Sequence, residues 1–196
     1  MNFSGMYPSI ENTTYCGGHC VMCPRDEFSH KFENMSFSVF KKIIDELIDK
    51  GCRRIQIKGF GDCLCDSELE SKLAYVKERC PDMYLSTINT GHLFNDRNIS
   101  LVCKYFNSIK ISMYGMTKKT YEKVHGGSLI FEEVKQRIDD FLSYRPKSLF
   151  TILTFLVLPE NEQEMDVWKD YYEQKCDRID IWKPHNWGGG INRRKW

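Results

Sequence analysis

The sequence predicts an α/β fold in which six parallel strands, each followed by a helical stretch, form a partial, open (β/α)6 barrel of the TIM type. Three observations predict it. Short β-type runs alternate with amphipathic helical periods along the whole chain. Within several runs apolar and polar residues alternate, whereas a sheet covered on both faces reads as nearly continuous apolar runs. The unusual stretches all follow strands, at the carboxyl ends where α/β barrels carry their sites.

The strands are expected at residues 9–15, 53–58 (RRIQIK), 83–88 (MYLSTI), 108–113 (SIKISM), 150–157 (FTILTFLV) and 178–182 (RIDIW). In the second, Ile55 and Ile57 oppose Gln56 and Lys58. In the fourth, Ile109 and Ile111 oppose Lys110 and Ser112. In the sixth, Ile179 and Ile181 oppose Asp180 and Trp182. One face is thus expected under helices and the other along a polar lumen; the competing reading is an antiparallel sheet with one wet face, which the crossovers disfavour. The first helix is capped by Ser36, has Phe37, Phe40, Ile43, Ile44, Leu47 and Ile48 on one face, and ends at Gly51. Residues 67–79, 98–106, 129–142 and 161–175 repeat the pattern, with Pro81 and Pro146 as stops.

The 196 residues fit one domain, 1–196. A formal charge of +1 gives no reason to expect nucleic acid or an anionic membrane as partner. No apolar run reaches the ~20 residues of a membrane span, and the start lacks signal-peptide regions, so a cytoplasmic protein is expected. Nine cysteines, an odd number, argue against a disulfide framework and for metal or catalysis.

Six stretches converge on the expected rim: CGGHCVMC (16–23), GFGDCLCD (59–66), NTGH (89–92), residues 112–115, PEN (159–161) and KPHNWGGG (183–190). That convergence favours an enzyme over a binding scaffold. The first puts three cysteines within eight positions without a fourth. Structural zinc wants four ligands, so Cys63 and Cys65 would have to supply a second pair. An iron–sulfur cluster held by three cysteines leaves one iron open, and open coordination marks a catalytic metal. Gly17 and Gly18 let this loop turn tightly and bring N–H groups towards sulfur.

The pattern C-x3-C-x2-C after the first strand of a partial barrel resembles the signature of the radical S-adenosylmethionine (radical SAM) superfamily, and the resemblance covers essentially the whole chain. It implies a [4Fe-4S] cluster on Cys16, Cys20 and Cys23, with S-adenosylmethionine (SAM) on the open iron. The implied reaction is reductive cleavage of SAM to a 5′-deoxyadenosyl radical that abstracts hydrogen from substrate. Gly59, Phe60, Gly61 and Asp62 are similar to the family's Gly-Gly-Glu-Pro segment, whose backbone meets the methionine amino group; here Asp62 replaces Glu and Cys63 replaces Pro. The resemblance further implies SAM contacts from Met22, Lys110, Ser112, Val157 and Asn161, with Asn161 and Glu164 similar to a family Asn-x-x-Glu. CPRDEF and PHNWGG resemble the subgroup with C-terminal SPASM or twitch domains, and residues 1–196 would end where such a domain begins. An electron donor such as flavodoxin or ferredoxin is implied, with a peptide or small-molecule substrate. Peptide or protein modification is favoured, and oxidation of a sugar or small alcohol is the nearer rival. A non-catalytic zinc or iron–sulfur protein is the rival of another class.

Other residues have plainer readings. Cys63, Cys65, Cys52, Cys80, Cys103 and Cys176 read as packing residues, His125 as a loop residue and His92 as solvated. Asp180 reads as a partner of Lys58 or Lys110 before a proton acceptor. His185 and Trp187 are open between touching substrate and closing the barrel.

Overall fold

A computed structural model describes residues 2–27, 29 and 32–184. Its six strands are β1 (Ser9–Ile10), β2 (Arg54–Ile57), β3 (Tyr84–Asn89), β4 (Ser108–Ser112), β5 (Phe150–Leu156) and β6 (Arg178–Trp182). They pair in sequence order, every pair parallel. β1 and β6 are therefore the two edges, and the barrel is open as the sequence predicts. The helices are α1 (Phe37–Asp49), α2 (Leu69–Arg79), α3 (Asp96–Tyr105), α4 (Lys118–Val124), α5 (Phe131–Tyr144) and α6 (Met165–Tyr172). No helix among the described residues is long and apolar enough to cross a membrane.

Local chemistry sets these boundaries. Ser36 caps α1 by accepting the Val39 N–H, and Gly51 follows its end at φ +83°. Asn95 and Thr117 cap α3 and α4 in the same way as Ser36. α2 and α5 stop at Arg79 and Tyr144, ahead of Pro81 and Pro146. The alternation in the strands sorts their side chains as expected. Ile55, Ile57, Leu85, Ile109, Ile111, Leu153 and Phe155 are wholly buried on the helix side. In β6 the alternation holds, yet Ile181 on that side is 42% exposed.

Three elements depart from the sequence reading. β1 pairs for two residues, where seven were expected. Beyond Ile10 the chain turns to a different partner: Thr13 bridges Asn34 antiparallel, Met35 N–H bonds to Asn12 O, and Thr14 N–H bonds to Glu33 O. β2 ends in step, because the Glu11 carboxylate takes the Phe60 N–H (2.5 Å). α4 was not expected at all: seven residues are too few for a periodic signal. The helix expected at 161–175 begins as a 3-10 turn, Glu162–Glu164, before α6.

What holds the irregular segment after β1 is a buried polar network. Lys72 on α2 is fully enclosed and donates to Asp66 Oδ2 (2.7 Å) and Met35 O (2.5 Å). Asp66 also accepts from Asn12 Nδ2 (2.9 Å), which in turn reaches Cys63 O (3.3 Å). Three stretches without common sheet pairing are thereby tied together. Asp66→Asn strips Lys72 of its buried counter-charge and is expected to cost about 3–5 kcal/mol in anaerobic denaturant unfolding. Pairing it with Lys72→Met is expected to recover most of the loss, because it removes the stranded charge.

Candidate functional site

The cysteine loop leaves the segment just described and is pinned on every side. Val21 N–H bonds to Val124 O (2.9 Å) at the end of α4. His19 N–H bonds to Ser128 Oγ (3.0 Å), and a side chain on Gly126, which sits at φ +67°, would collide with the His19 carbonyl. Gly18 N–H points at Cys16 Sγ (3.4 Å), and a side chain on Gly18 would meet the sulfurs of both Cys16 and Cys20. Inside the loop lies the buried guanidinium of Arg25, donating to Cys16 O (2.7 Å) and Gly18 O (2.8 Å).

Facing this loop is the segment after β2. Asp62 N–H bonds to Tyr15 O (2.8 Å), and a Cβ on Gly61 would collide with the carbonyl oxygens of Thr13 and Tyr15. Only glycine lets the two backbones approach so closely. Gly59 is similarly closed off by the Glu11 carboxylate.

Between the two segments lies a cavity of about 190 Å³. Cys16, Cys20, Cys23 and Met22 line one side and Gly59, Phe60, Gly61 and Asp62 another, with Ser112 at the end of β4. Gly18, Ile88, Asn89, Thr90 and Tyr114 complete it. Nine of the twelve site residues expected from the sequence meet there.

Three do not. Lys110 turns away, donating to Asp180 Oδ2 (2.7 Å) and lying 4.1 Å from the Trp182 ring centre. Lys110 is one of the two partners expected for Asp180. Val157 packs against the core, its N–H on Trp182 O. Asn161 is wholly buried and fully occupied. Its amide donates to Tyr114 O (3.1 Å) and Leu156 O (2.9 Å), and its oxygen accepts Leu158 N–H (2.7 Å). Glu164 likewise secures the start of α4, accepting from Met116 N–H and from the Thr117 hydroxyl, both at 2.6 Å.

The electrostatics are those of an enclosed site. Burial pushes the Cys20 thiol up to about 12, with Cys16 and Cys23 adding to the effect, and raises Cys16 too. Loading a metal there must therefore release protons; the Arg25 charge works in the opposite direction on Cys16 and Cys20. Burial lifts the Asp62 carboxyl to about 6, against the N–H groups of Leu64 and Thr90. Its Oδ2 is buried without a hydrogen-bond partner.

His92, expected in solvent, is mostly buried. Its Nδ1 is 2.6 Å from Thr90 Oγ1 and 3.6 Å from Asp62 Oδ2, and burial depresses it to about 4. Its ring would obstruct any side chain on Gly17. His125 is also buried, with Nδ1 3.1 Å from Cys20 Sγ and its ring stacked on Tyr114. Arg25 and Tyr114 escaped the sequence reading as site residues, although Arg25 belongs to the CPRDEF stretch. Cys63 is buried against Thr87 Oγ1 (3.0 Å), as a packing residue should be. Cys65 is half-buried beside the loop, accepting Gly17 N–H. His185 and Trp187 lie outside the described residues.

Among the described residues no three His, Cys, Asp or Glu side chains close on a single ion. The three thiols line one side of a cavity, which suits a multi-atom cluster better than one tetrahedral zinc ion. The buried, unpartnered Asp62 oxygen and the side-chain-free glycine edge fit a cationic amine drawn close to the backbone.

The sequence model of the radical SAM superfamily matches residues 10–171. The chain belongs to the radical SAM superfamily. Members bind a [4Fe-4S] cluster and SAM. Among solved structures, the chain is similar to Streptococcus suis SuiB bound to S-adenosylmethionine, with a TM-score of 0.76, 14% identity, and 96% of this chain against 42% of that one. It is also similar to anSMEcpe with bound AdoMet and Cp18Cys peptide (TM-score 0.70, 16% identity, 91% and 50% of the two chains). Methylornithine synthase, PylB, scores 0.69 at 12% identity over 91% and 54%. The chain thus spans about half the length of these structures, and the likeness is one of fold. No curated protein matches it in sequence.

Substitutions at two positions test the architecture of this site. Arg25→Met leaves the carbonyls of Cys16 and Gly18 without their donor, and is expected to cost about 1–3 kcal/mol and to lower the iron retained per chain after anaerobic reconstitution. Arg25→Lys should rescue it only in part, since one ammonium does not reproduce the fork. Gly61→Ala is expected to lose about 1–3 kcal/mol through overpacking, read by thermal unfolding.

Proposed function

We propose that this chain is a hydrogen-abstracting radical SAM enzyme, with Cys16, Cys20 and Cys23 holding the [4Fe-4S] cluster and residues 59–62 receiving SAM. The observation that carries the reading is the single cavity shared by three thiols, the glycine-containing segment 59–62 and a buried carboxylate oxygen without a hydrogen-bond partner. When bound, the cluster and SAM supply one-electron reductive cleavage of the cofactor and hydrogen abstraction from the substrate.

The chain's own residues prepare the place for that chemistry. Arg25 and the Gly18 N–H fix the loop so that thiolates, once formed, need no rearrangement. Asp62 Oδ2 accepts from the methionine amino group. Ser112, held by the Tyr114 hydroxyl at 2.9 Å, presents its oxygen to the polar end of SAM. Met22 and Ile88 provide apolar contact and keep water from the reacting centre. Lys110, Val157 and Asn161 are not assigned to SAM, since their side chains are engaged elsewhere.

Radical SAM enzymes need a reductant and a substrate. A low-potential one-electron donor, flavodoxin or ferredoxin, fills the first role. For the second, peptide or protein modification is preferred, in keeping with the peptide in the anSMEcpe structure. Oxidation of a sugar or small alcohol is the alternative, in keeping with BtrN, solved with AdoMet and 2-DOIA (TM-score 0.54, 12% identity, 78% and 58% of the chains).

Electron paramagnetic resonance tests the core of the proposal. After anaerobic reconstitution and reduction, a four-iron signal is expected that changes when SAM is added and is absent in Cys20→Ala. A signal indifferent to SAM, or none, refutes the reading. In Asp62→Asn the cluster signal should persist while the SAM concentration needed to change it rises about tenfold, the scale of one charge-assisted hydrogen bond.

A further inference from the structure

The inner face of the sheet carries a charge pattern that the cluster and SAM do not use. By register, Ile88 on β3 pairs with Lys110 on β4, Lys110 with Ile152 on β5, and Ile152 with Arg178 on β6. Ile57 pairs with Thr87, so Lys58, next in the chain, falls beside Ile88 in the same row. One row across the lumen thus reads Lys58, Ile88, Lys110, Ile152, Arg178. The cations come from alternate strands β2, β4 and β6, whose side chains form a common layer in an α/β barrel. Below this row Arg54 lies over the rings of Tyr7 (4.7 Å) and Tyr84 (5.2 Å).

Only one carboxylate answers them on the inner face of these strands among the described residues. Asp180 bonds to Lys110 (2.7 Å) and also to Arg178 (2.9 Å). Lys58 has no hydrogen bond or ion pair from its ammonium among the described residues. It is half-buried, and both burial and the Lys110 charge hold it below the usual lysine value. An anion beside it would relieve both penalties at once. Space is present below it: a cavity of about 240 Å³ is lined by Arg54, Lys110 and Arg178, with Gln56 and Ser108 supplying further donors, and Lys58 stands two residues beyond Gln56 on the same face, in the row of Lys110.

We propose that the lumen is an oxyanion site, with Lys58 as its principal ligand, and that it anchors a substrate bearing a carboxylate or phosphate group. Lys58 immediately precedes Gly59, and Lys110 lies two residues before Ser112, about 7 Å by strand rise, so the site adjoins the SAM cavity from below, with Ile88 of the same row lining that cavity. A substrate held there by its anionic end presents a carbon a few bonds away to the cavity above. The inference rests on the proposed function for the identity of that upper cavity. Anion binding itself is independent of it.

Isothermal titration calorimetry of the anaerobic 1–196 chain at low ionic strength tests this, with glutarate and inorganic phosphate as probes, without SAM and then at saturating SAM. Saturable binding of at least one probe is expected, and which one binds identifies the preferred oxyanion. Binding should weaken about tenfold in Lys58→Met and stay within about threefold in Lys58→Arg, with SAM leaving it unchanged. Lys58→Met should keep the wild-type unfolding midpoint within a few degrees, which separates a lost ligand from a lost fold. The proposal is overturned if neither probe binds the wild type, if Lys58→Met binds as well as the wild type, or if SAM displaces the probe. That last result would assign Lys58 to the cofactor's own carboxylate. Probe binding in a chain whose resonance signal ignores SAM would leave this site standing and remove the proposed function instead.

Discussion

The enclosed ammonium of Lys72 is the interaction on which the rest depends. β1 pairs for only two residues, so nothing in the sheet obliges the segment that follows it to lie beside the segment that follows β2. Lys72, Asp66 and Asn12 impose that neighbourhood with side chains, and the cavity forms between the two segments they bring together. A charge so deeply placed survives only because each of its strong partners is also fixed. The arrangement exchanges the modest, distributed stability of a strand ladder for a few directional bonds. In return the cysteine loop is free of sheet geometry and able to curl around its own sulfurs.

Much of the architecture follows from one period-two pattern. RIQIK, SIKIS and RIDIW each divide isoleucine from polar residues, and that division separates the helix-covered face from the lumen. Strand identity was legible because alternation is local. The extent of β1 was not, because it is decided by Glu11 and Asn12 choosing partners about 50 residues away. α4 was hidden for another reason: its buried Thr120, Tyr121 and Val124 make sense only against the cysteine loop and α5. Ile181 shows the reverse limit, for a correct alternation says nothing about whether a covering element is present.

The site divides in the same way. Cys16, Cys20, Cys23 and residues 59–62 were legible as continuous motifs, and the fold brings them to one cavity. Lys110 and Asn161 were read with them, and in the structure their side chains bond to other protein groups. Being polar near the rim does not tell whether a side chain meets a ligand or a neighbouring strand, and here Asp180 and three backbone groups claim them. Arg25 shows the complementary failure. A charged residue beside a metal motif looks like ordinary surface until its guanidinium is found inside the loop. His92 is buried because glycine at position 17 leaves room for its ring, a relation between residues 75 positions apart that no local pattern carries.

The unpaired edges of β1 and β6 have a consequence for selection. A closed eight-stranded barrel that holds a ligand has room for one small molecule and discriminates first by volume. Here the wall has a seam, and among the described residues no strand spans it. A molecule with only its anchoring group inside can extend its remainder through the gap, so its length is not limited by the internal space. Discrimination then falls to the chemistry of the lining instead of its capacity. Sequence change along the inner face of the strands would retarget such a protein without altering the frame that holds its cysteines.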